Sequence, residues 1–251
     1  MVAAKFQNQS NMQSRRIRVL STRPVDQPLT EAAAACGIDI EVISFIETEP
    51  VSEEAVKNKI NALASEKITA VFTSMNAVES VMAATTISPR WQVGSIGTTT
   101  NKLIEKHLKH CSVIATGNNA SELAYNLASV IKSGKVIFFC GDQRREELPS
   151  ILKNQGIDVE EIIVYKTIPQ NKHIDTEYDG IAFYSPSAVH SFFSVNKLNK
   201  STIVFSIGST TSESIRSYTD NTIVEAVEPG KENLIKRILD YYTSTQKPVN
   251  S

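Results

Sequence analysis

Two stretches decide how this chain is read: Phe72-Thr-Ser-Met-Asn-Ala-Val-Glu-Ser80 and Phe183-Tyr-Ser-Pro-Ser-Ala-Val-His-Ser191. They agree at five of nine positions and lie 111 residues apart. Ser95-Ile-Gly-Thr-Thr-Thr100 and Ser206-Ile-Gly-Ser-Thr-Thr211 agree at five of six with the same spacing. One spacing shared by two separate matches marks an internal duplication. A third pair, Gly37-Ile-Asp-Ile-Glu41 and Gly156-Ile-Asp-Val-Glu160, is 119 residues apart, so the second copy lacks a piece after its second strand. In the first copy that interval holds a helical stretch near 52–65. In the second it holds the polar segment 169–179.

Outward from these motifs, short β-branched runs alternate with segments of helical period. Strands are expected at 17–21, 70–73, 93–96, 112–115, 136–140, 181–184, 202–207 and 222–226, each followed by a helix. The first helix starts after Pro24 and Pro28, which suit a turn and a first helical turn, and Gly37 suits its left-handed cap. The second strands, 40–46 and 159–167, run long and lead into the breaks in the repeat, where the chain is expected to pass between domains. Such alternation gives an α/β fold of parallel sheets covered by helices, here two similar domains.

Composition removes several classes of function. The 251 residues carry 26 Lys+Arg and 27 Asp+Glu, a net charge of −1, which is not the basic footprint of a nucleic-acid-binding protein. The strongly apolar runs are only strand-length, so no membrane span is expected. The three cysteines, Cys36, Cys111 and Cys140, are widely spaced and form no C-x-x-C pair, so no disulfide framework is expected. Residues 1–14 are polar, lack a signal-peptide core and read as a disordered lead-in, and a cytoplasmic location is expected. Neither G-x-x-x-x-G-K-[ST] nor G-x-G-x-x-G occurs, which argues against an NTPase or a dinucleotide enzyme. His107, His110 and Cys111 are close in sequence but read as an exposed helix end, and no metal site is assigned.

In open parallel sheets, ligands bind outside the carboxyl ends of the strands, against helix N-termini. The repeated motifs fall there. Thr73, Ser74 and Asn76 follow one strand, and Ser185 and Ser187 follow its counterpart. Gly97, Thr98 and Thr99 follow the next, matched by Gly208, Thr210 and Thr211. Gly admits a close ligand, and Ser or Thr caps the helix while its free N–H groups point outward, so such loops hold carboxylates or phosphates without much net charge. Two more loops put Arg directly after a strand, Thr22-Arg23-Pro24 and Gly141-Asp142-Gln143-Arg144-Arg145. Arg23 and Arg144 are candidate ligand contacts through their planar forks, while Glu146 and Glu147 are expected to neutralise Arg145. Cys140 ends an apolar strand and reads as core. Tyr165, a phenol of pKa about 10, stays protonated at neutral pH and can donate a proton.

Together these residues resemble the uroporphyrinogen-III synthase family. The features that carry the resemblance are Leu20-Ser21-Thr22-Arg23-Pro24, the stretch from Phe72 to Val78, and the stretch from Cys140 to Leu148. They continue with Val164-Tyr165-Lys166-Thr167, the stretch from Phe183 to Val189, and Ile207-Gly208-Ser209-Thr210-Thr211, in register from about Arg16 to Tyr242. The resemblance implies two flavodoxin-like domains joined by two extended strands, with the active site in the interdomain cleft and a hinged opening motion. By that analogy 1–38 and 178–251 form one domain, 52–155 the other, and 39–51 and 156–177 the connecting strands.

The family converts hydroxymethylbilane, a linear tetrapyrrole with eight carboxylates, into uroporphyrinogen III without metal or organic cofactor. Loss of the hydroxyl gives an azafulvene, which the substituted carbon of ring D attacks to form a spiro intermediate. Fragmentation and reclosure invert that ring. Uncatalysed closure gives the type I isomer, so the protein's task is orientation. The resemblance implies that Tyr165 assists departure of the hydroxyl, that Thr210 or Thr211 is a cleft threonine, and that Ser185 or Ser187 is a cleft serine. The choice within each pair stays open. A monomer is expected, with transient contact to the enzyme that supplies hydroxymethylbilane. A two-lobed anion-binding protein without catalysis is the competing reading.

Overall fold

The structure, a computed structural model, describes residues 15–132, 134–228 and 230–245, so the expected lead-in at 1–14 lies outside the described residues. The chain opens with β1 (Ile17–Ser21), α1 (Gln27–Ala35), β2 (Ile38–Val42) and β3 (Ile46–Pro50). Its middle holds α2 (Glu54–Ala64), β4 (Thr69–Phe72), α3 (Met75–Ala84), β5 (Gln92–Ile96), α4 (Thr98–His107), β6 (Ser112–Gly117) and α5 (Ala120–Val130). There follow β7 (Gly134–Gly141), α6 (Glu147–Asn154) and β8 (Ile157–Pro169). The last part holds β9 (Gly180–Phe183), α7 (Pro186–Phe193), β10 (Ile203–Ser206), α8 (Ser209–Arg216), β11 (Ile223–Glu225) and α9 (Lys231–Thr245). Contacts divide the described chain into two compact units: one up to Ile46 and again from Pro169, the other Glu47–Ile168.

The first unit is a five-stranded sheet, β11-β10-β9-β1-β2, parallel throughout. Strand alternation sends Val19 to one face and Leu20 to the other. Val19 packs with Phe205 and with Leu234, Ile235 and Ile238 of α9, and Leu20 with Phe183, Val189, Phe192 and Ile215 beneath α7 and α8. The second unit is a six-stranded sheet, β3-β8-β7-β4-β5-β6, with parallel pairing from β8 to β6. Phe139 stacks between Phe72 and Trp91 on one face, while Phe138 joins Leu123, Leu127 and Leu152 on the other. Both faces being covered explains the unbroken apolar run in β7.

The duplication is visible as topology. Read from its partner strands, the first sheet runs β2-β1-β9-β10-β11 and the second β8-β7-β4-β5-β6, with β3 added outside β8. Gly37 and Gly156, both at φ +76°, end α1 and α6 and turn the chain into β2 and β8. Each sheet reverses its strand order once, between β1 and β9 in the first and between β7 and β4 in the second. A crevice opens at such a point beyond the strand carboxyl ends.

One expected strand is two. Residues 40–46 do not form a single long strand: β2 stops at Val42, the chain breaks at 43–45, and β3 begins in the other sheet at Ile46. Phe45 causes the break. Its ring is fully buried against Phe192 in the first unit, and its carbonyl accepts the Gln170 N–H at 2.8 Å. The stretches expected as connecting strands are built into the sheets. β2 pairs with β1 along its length, and β8 pairs with β7 from Ile157 to Tyr165.

Candidate active site

At the β7/β4 crevice, Phe72 ends β4 and Ser74 stands extended (φ −150°, ψ 152°) as the N-cap of α3. Ser74 Oγ accepts the Ala77 N–H at 3.2 Å and donates to Tyr165 Oη at 3.2 Å. Tyr165 comes from β8 and is half-buried, so two strands and a helix cap meet at one phenol. Thr73 and Asn76 are half-buried beside it. Next along the sheet, Gly97 caps α4 with φ +75°, Thr98 and Thr99 are exposed, and Thr100 is buried.

At the β1/β9 crevice the arrangement repeats. Ser185 (φ −162°, ψ 153°) caps α7 and accepts the Ala188 N–H at 3.2 Å, with Pro186 in the first turn and Ser187 half-buried. Ser21 Oγ gives its hydrogen to the Arg23 carbonyl at 2.6 Å and lies 3.3 Å from Tyr184 Oη. Arg23 itself is exposed and has no ion-pair partner among the described residues. Burial pushes the Tyr184 phenol up, against a smaller opposing pull from Ser21 and Arg23. Gly208 caps α8, Ser209 and Thr210 are exposed, and Thr211 is buried. Of the threonine pair, therefore, Thr210 is the one a solute can reach.

The loops are braced from behind at equivalent positions. Ser95 Oγ donates to Asn101 Oδ1 at 2.7 Å; in the other copy Ser206 Oγ lies 2.5 Å from Ser212 Oγ, which donates to Glu225 at 2.6 Å. Arg144 does not stand free as a ligand contact. Its guanidinium is held by Glu161 and, at 2.6 Å, by Glu146, and these hydrogen bonds and charges raise its pKa. Glu146 therefore serves Arg144 and not Arg145, while Glu147 accepts from Ser121. Arg145 is exposed without an ion pair among the described residues. Cys140 is buried, and desolvation pushes its thiol up to about 12, which suits packing and not nucleophilic chemistry.

Sequence reasoning passed over a pattern in the helix starts. Acidic residues usually favour a first turn, where they offset the positive end of the helix dipole. Glu54, Glu122, Glu147 and Glu232 do so in α2, α5, α6 and α9. The four helices that open on the duplicated loops, α3, α4, α7 and α8, carry none in their first turns. The positive ends of these four helices are not offset by a first-turn carboxylate, and in α3 and α7 the capping serine takes one N–H. The signal was legible as missing Asp and Glu after each loop. Among the described residues no group of three or more His, Cys, Asp or Glu could hold a metal, and no helix is long and apolar enough to cross a membrane.

Comparison with known proteins gives the chain's family and supports its fold. The family described as uroporphyrinogen-III synthase HemD matches residues 27–236. A mutant uroporphyrinogen III synthase from the extremely thermophilic bacterium Thermus thermophilus superposes with a TM-score of 0.63 at 16% identity, covering 92% of this chain and 99% of that one. Uroporphyrinogen-III synthetase from Helicobacter pylori superposes at 0.62 with 18% identity, covering 90% and 99%. At such identities the two structures speak for the fold. The family match spans parts of both units and five of the six motifs, from α1 into α9, with Leu20–Pro24 just before it, and on it the chain belongs to the uroporphyrinogen-III synthase family.

Proposed function

We propose that the acid-free starts of α3, α4, α7 and α8, together with Arg23, Thr73, Asn76, Ser187, Thr98, Thr99 and Thr210, hold the carboxylates of hydroxymethylbilane, and that Tyr165 assists loss of its hydroxyl. The reaction is the family's: hydroxymethylbilane closes to uroporphyrinogen III with inversion of ring D and loss of water. Tyr165 gives its proton to the departing hydroxyl, which leaves as water, and the phenolate is reprotonated by the pyrrole N–H proton that is lost as the azafulvene forms. The azafulvene left behind is attacked by the substituted carbon of ring D. The spiro intermediate then fragments and recloses inverted. Holding the arms keeps ring D over the azafulvene carbon and excludes the direct closure that gives type I. We place the reaction in the cytoplasm, carried out by a monomer that meets the preceding pathway enzyme only transiently.

The observation that carries this reading is the contrast between helix starts. Five lack the carboxylate that α2, α5, α6 and α9 carry: the four that open on the duplicated loops, and α1, which follows the loop bearing Arg23. The test is the isomer ratio. Hydroxymethylbilane generated in place is mixed with the protein, and the oxidised products are resolved as uroporphyrins I and III. Type III should dominate, and Tyr165→Phe should lower turnover by about 100-fold, the low end for general acid catalysis, with product affinity nearly unchanged. Type I alone from folded protein would leave a two-lobed anion-binding protein. Undiminished turnover in Tyr165→Phe removes the phenol from the mechanism.

A further inference from the structure

The strand that carries Tyr165 is not regular where it carries it. Along β7 and β8 the register runs Cys140 opposite Ile163 and then Gly141 opposite Tyr165, so β8 has one extra residue, Val164, at this point. An inserted residue re-aims the side chains beyond it. Ile162 and Val164 already face the α2–α4 side of the sheet, and strict alternation would send Tyr165 to the opposite face. Tyr165 instead packs on the same side as Val164, where Ser74 caps α3.

The turned ring needs a place to lie, and Gly141 supplies it. A Cβ at Gly141 would fall 2.4 Å from Tyr165 Cζ, 2.5 Å from Cε2 and 2.8 Å from Oη, closer than atoms can approach. These are the atoms at the reactive end of the ring, and that end can swing. A methyl group here would therefore displace the hydroxyl before it disturbed the sheet. Asp142 fixes the backbone directly after the ring: its N–H donates to the Tyr165 carbonyl at 3.2 Å, and its Oδ1 accepts the Thr167 N–H at 3.0 Å.

We infer that Gly141, Asp142 and the extra residue at Val164 form a seat that sets the position of the Tyr165 hydroxyl, making Gly141 and Asp142 positioning residues for the proton donor. This rests on the reading of Tyr165 given above. It also gives the Gly-Asp step after β7 a purpose separate from that of Arg144 two residues on.

A double-mutant cycle in the isomer assay tests it, using the full chain as Tyr165→Phe, Gly141→Ala and the pair together. If Gly141 acts through the phenol, Gly141→Ala lowers kcat by about 10-fold or more with KM nearly constant, and adds less than about 2-fold once Tyr165 is already Phe. A Gly141→Ala loss that persists undiminished in the Phe background, or no loss at all, overturns the seat while leaving Tyr165 as donor. Undiminished kcat in Tyr165→Phe overturns the donor reading, and the seat with it. Should Gly141→Ala not fold, Asp142 decides the question. Asp142→Ala should lower kcat, and Asp142→Asn, which keeps an oxygen for the Thr167 N–H, should restore most of the loss. Equal kinetics for the two variants count against the seat.

Discussion

Gly97, at the start of α4, has φ +75° and ψ 156°, a backbone state that is essentially closed to a residue with a Cβ. Its duplicate, Gly208 at the start of α8, has φ 169° and ψ 175°, extended backbone that any residue adopts, and a Cβ there would meet nothing within 4 Å. Nothing inside the fold requires glycine at 208. What remains is the space outside, which on the proposed reading a carboxylate crosses as it approaches the Ser209 and Thr210 N–H groups. The two alanine variants should therefore separate. Gly97→Ala loses about 1–3 kcal/mol in denaturant unfolding from backbone strain. Gly208→Ala unfolds like the parent but raises KM for hydroxymethylbilane by roughly 10-fold, the worth of one weakened charged hydrogen bond. An unchanged KM in Gly208→Ala would show that no ligand uses that space.

Ser74 and Ser185 do the same work for their helices, each accepting an N–H three residues on at 3.2 Å. Replacing either with Ala should cost about 1 kcal/mol of stability, the usual worth of an N-cap. Only Ser74 also touches Tyr165, so Ser74→Ala should lower kcat as well. Ser185→Ala should act on substrate affinity instead. Matching kinetic defects in the two would mean that the Ser74–Tyr165 bond has no part in turnover. At this scale the sequence is informative where structure depends on neighbours along the chain. Ser-x-x-Ala caps, Gly37 and Gly156 as left-handed caps, and the repeated loops were all readable from residue type and spacing. It is silent where structure depends on partners far along the chain. The break at Phe45 follows from a pocket built by Phe192, and no local pattern in 40–46 announces it. Arg144 looked like a ligand contact because Glu161, which holds it, is one strand away. Tyr165 was legible as a phenol on a strand, but the register slip that turns it toward Ser74 is a property of the β7/β8 pair.

For the whole molecule, duplication followed by exchange of strands leaves the two units with unequal chain continuity. The second unit, Glu47–Ile168, is one unbroken segment with apolar clusters on both faces of its sheet, as an autonomous domain requires. The first is assembled from two segments that are joined by sheet pairing and core packing but covalently only through the second unit. Their junction is tight, because Phe45 and Gln170 are hydrogen-bonded at 2.8 Å, so a linker of a few Gly and Ser residues from Ile46 to Pro169 spans it without strain. Two proteins are thus expected to fold: a fragment of residues 47–168, and a second chain in which that segment is replaced by the short linker. Each should show a cooperative urea transition by circular dichroism. Neither should shift the product toward type III, since Tyr165 and Ser74 belong to one, and Arg23, Ser185 and Thr210 to the other. If the linked chain stayed unfolded, the first unit would depend on the second for more than covalent connection. If either piece alone gave type III, the residues proposed in the other piece would have no part in turnover, and the carboxylate contacts would have to be reassigned to the loops of the active piece.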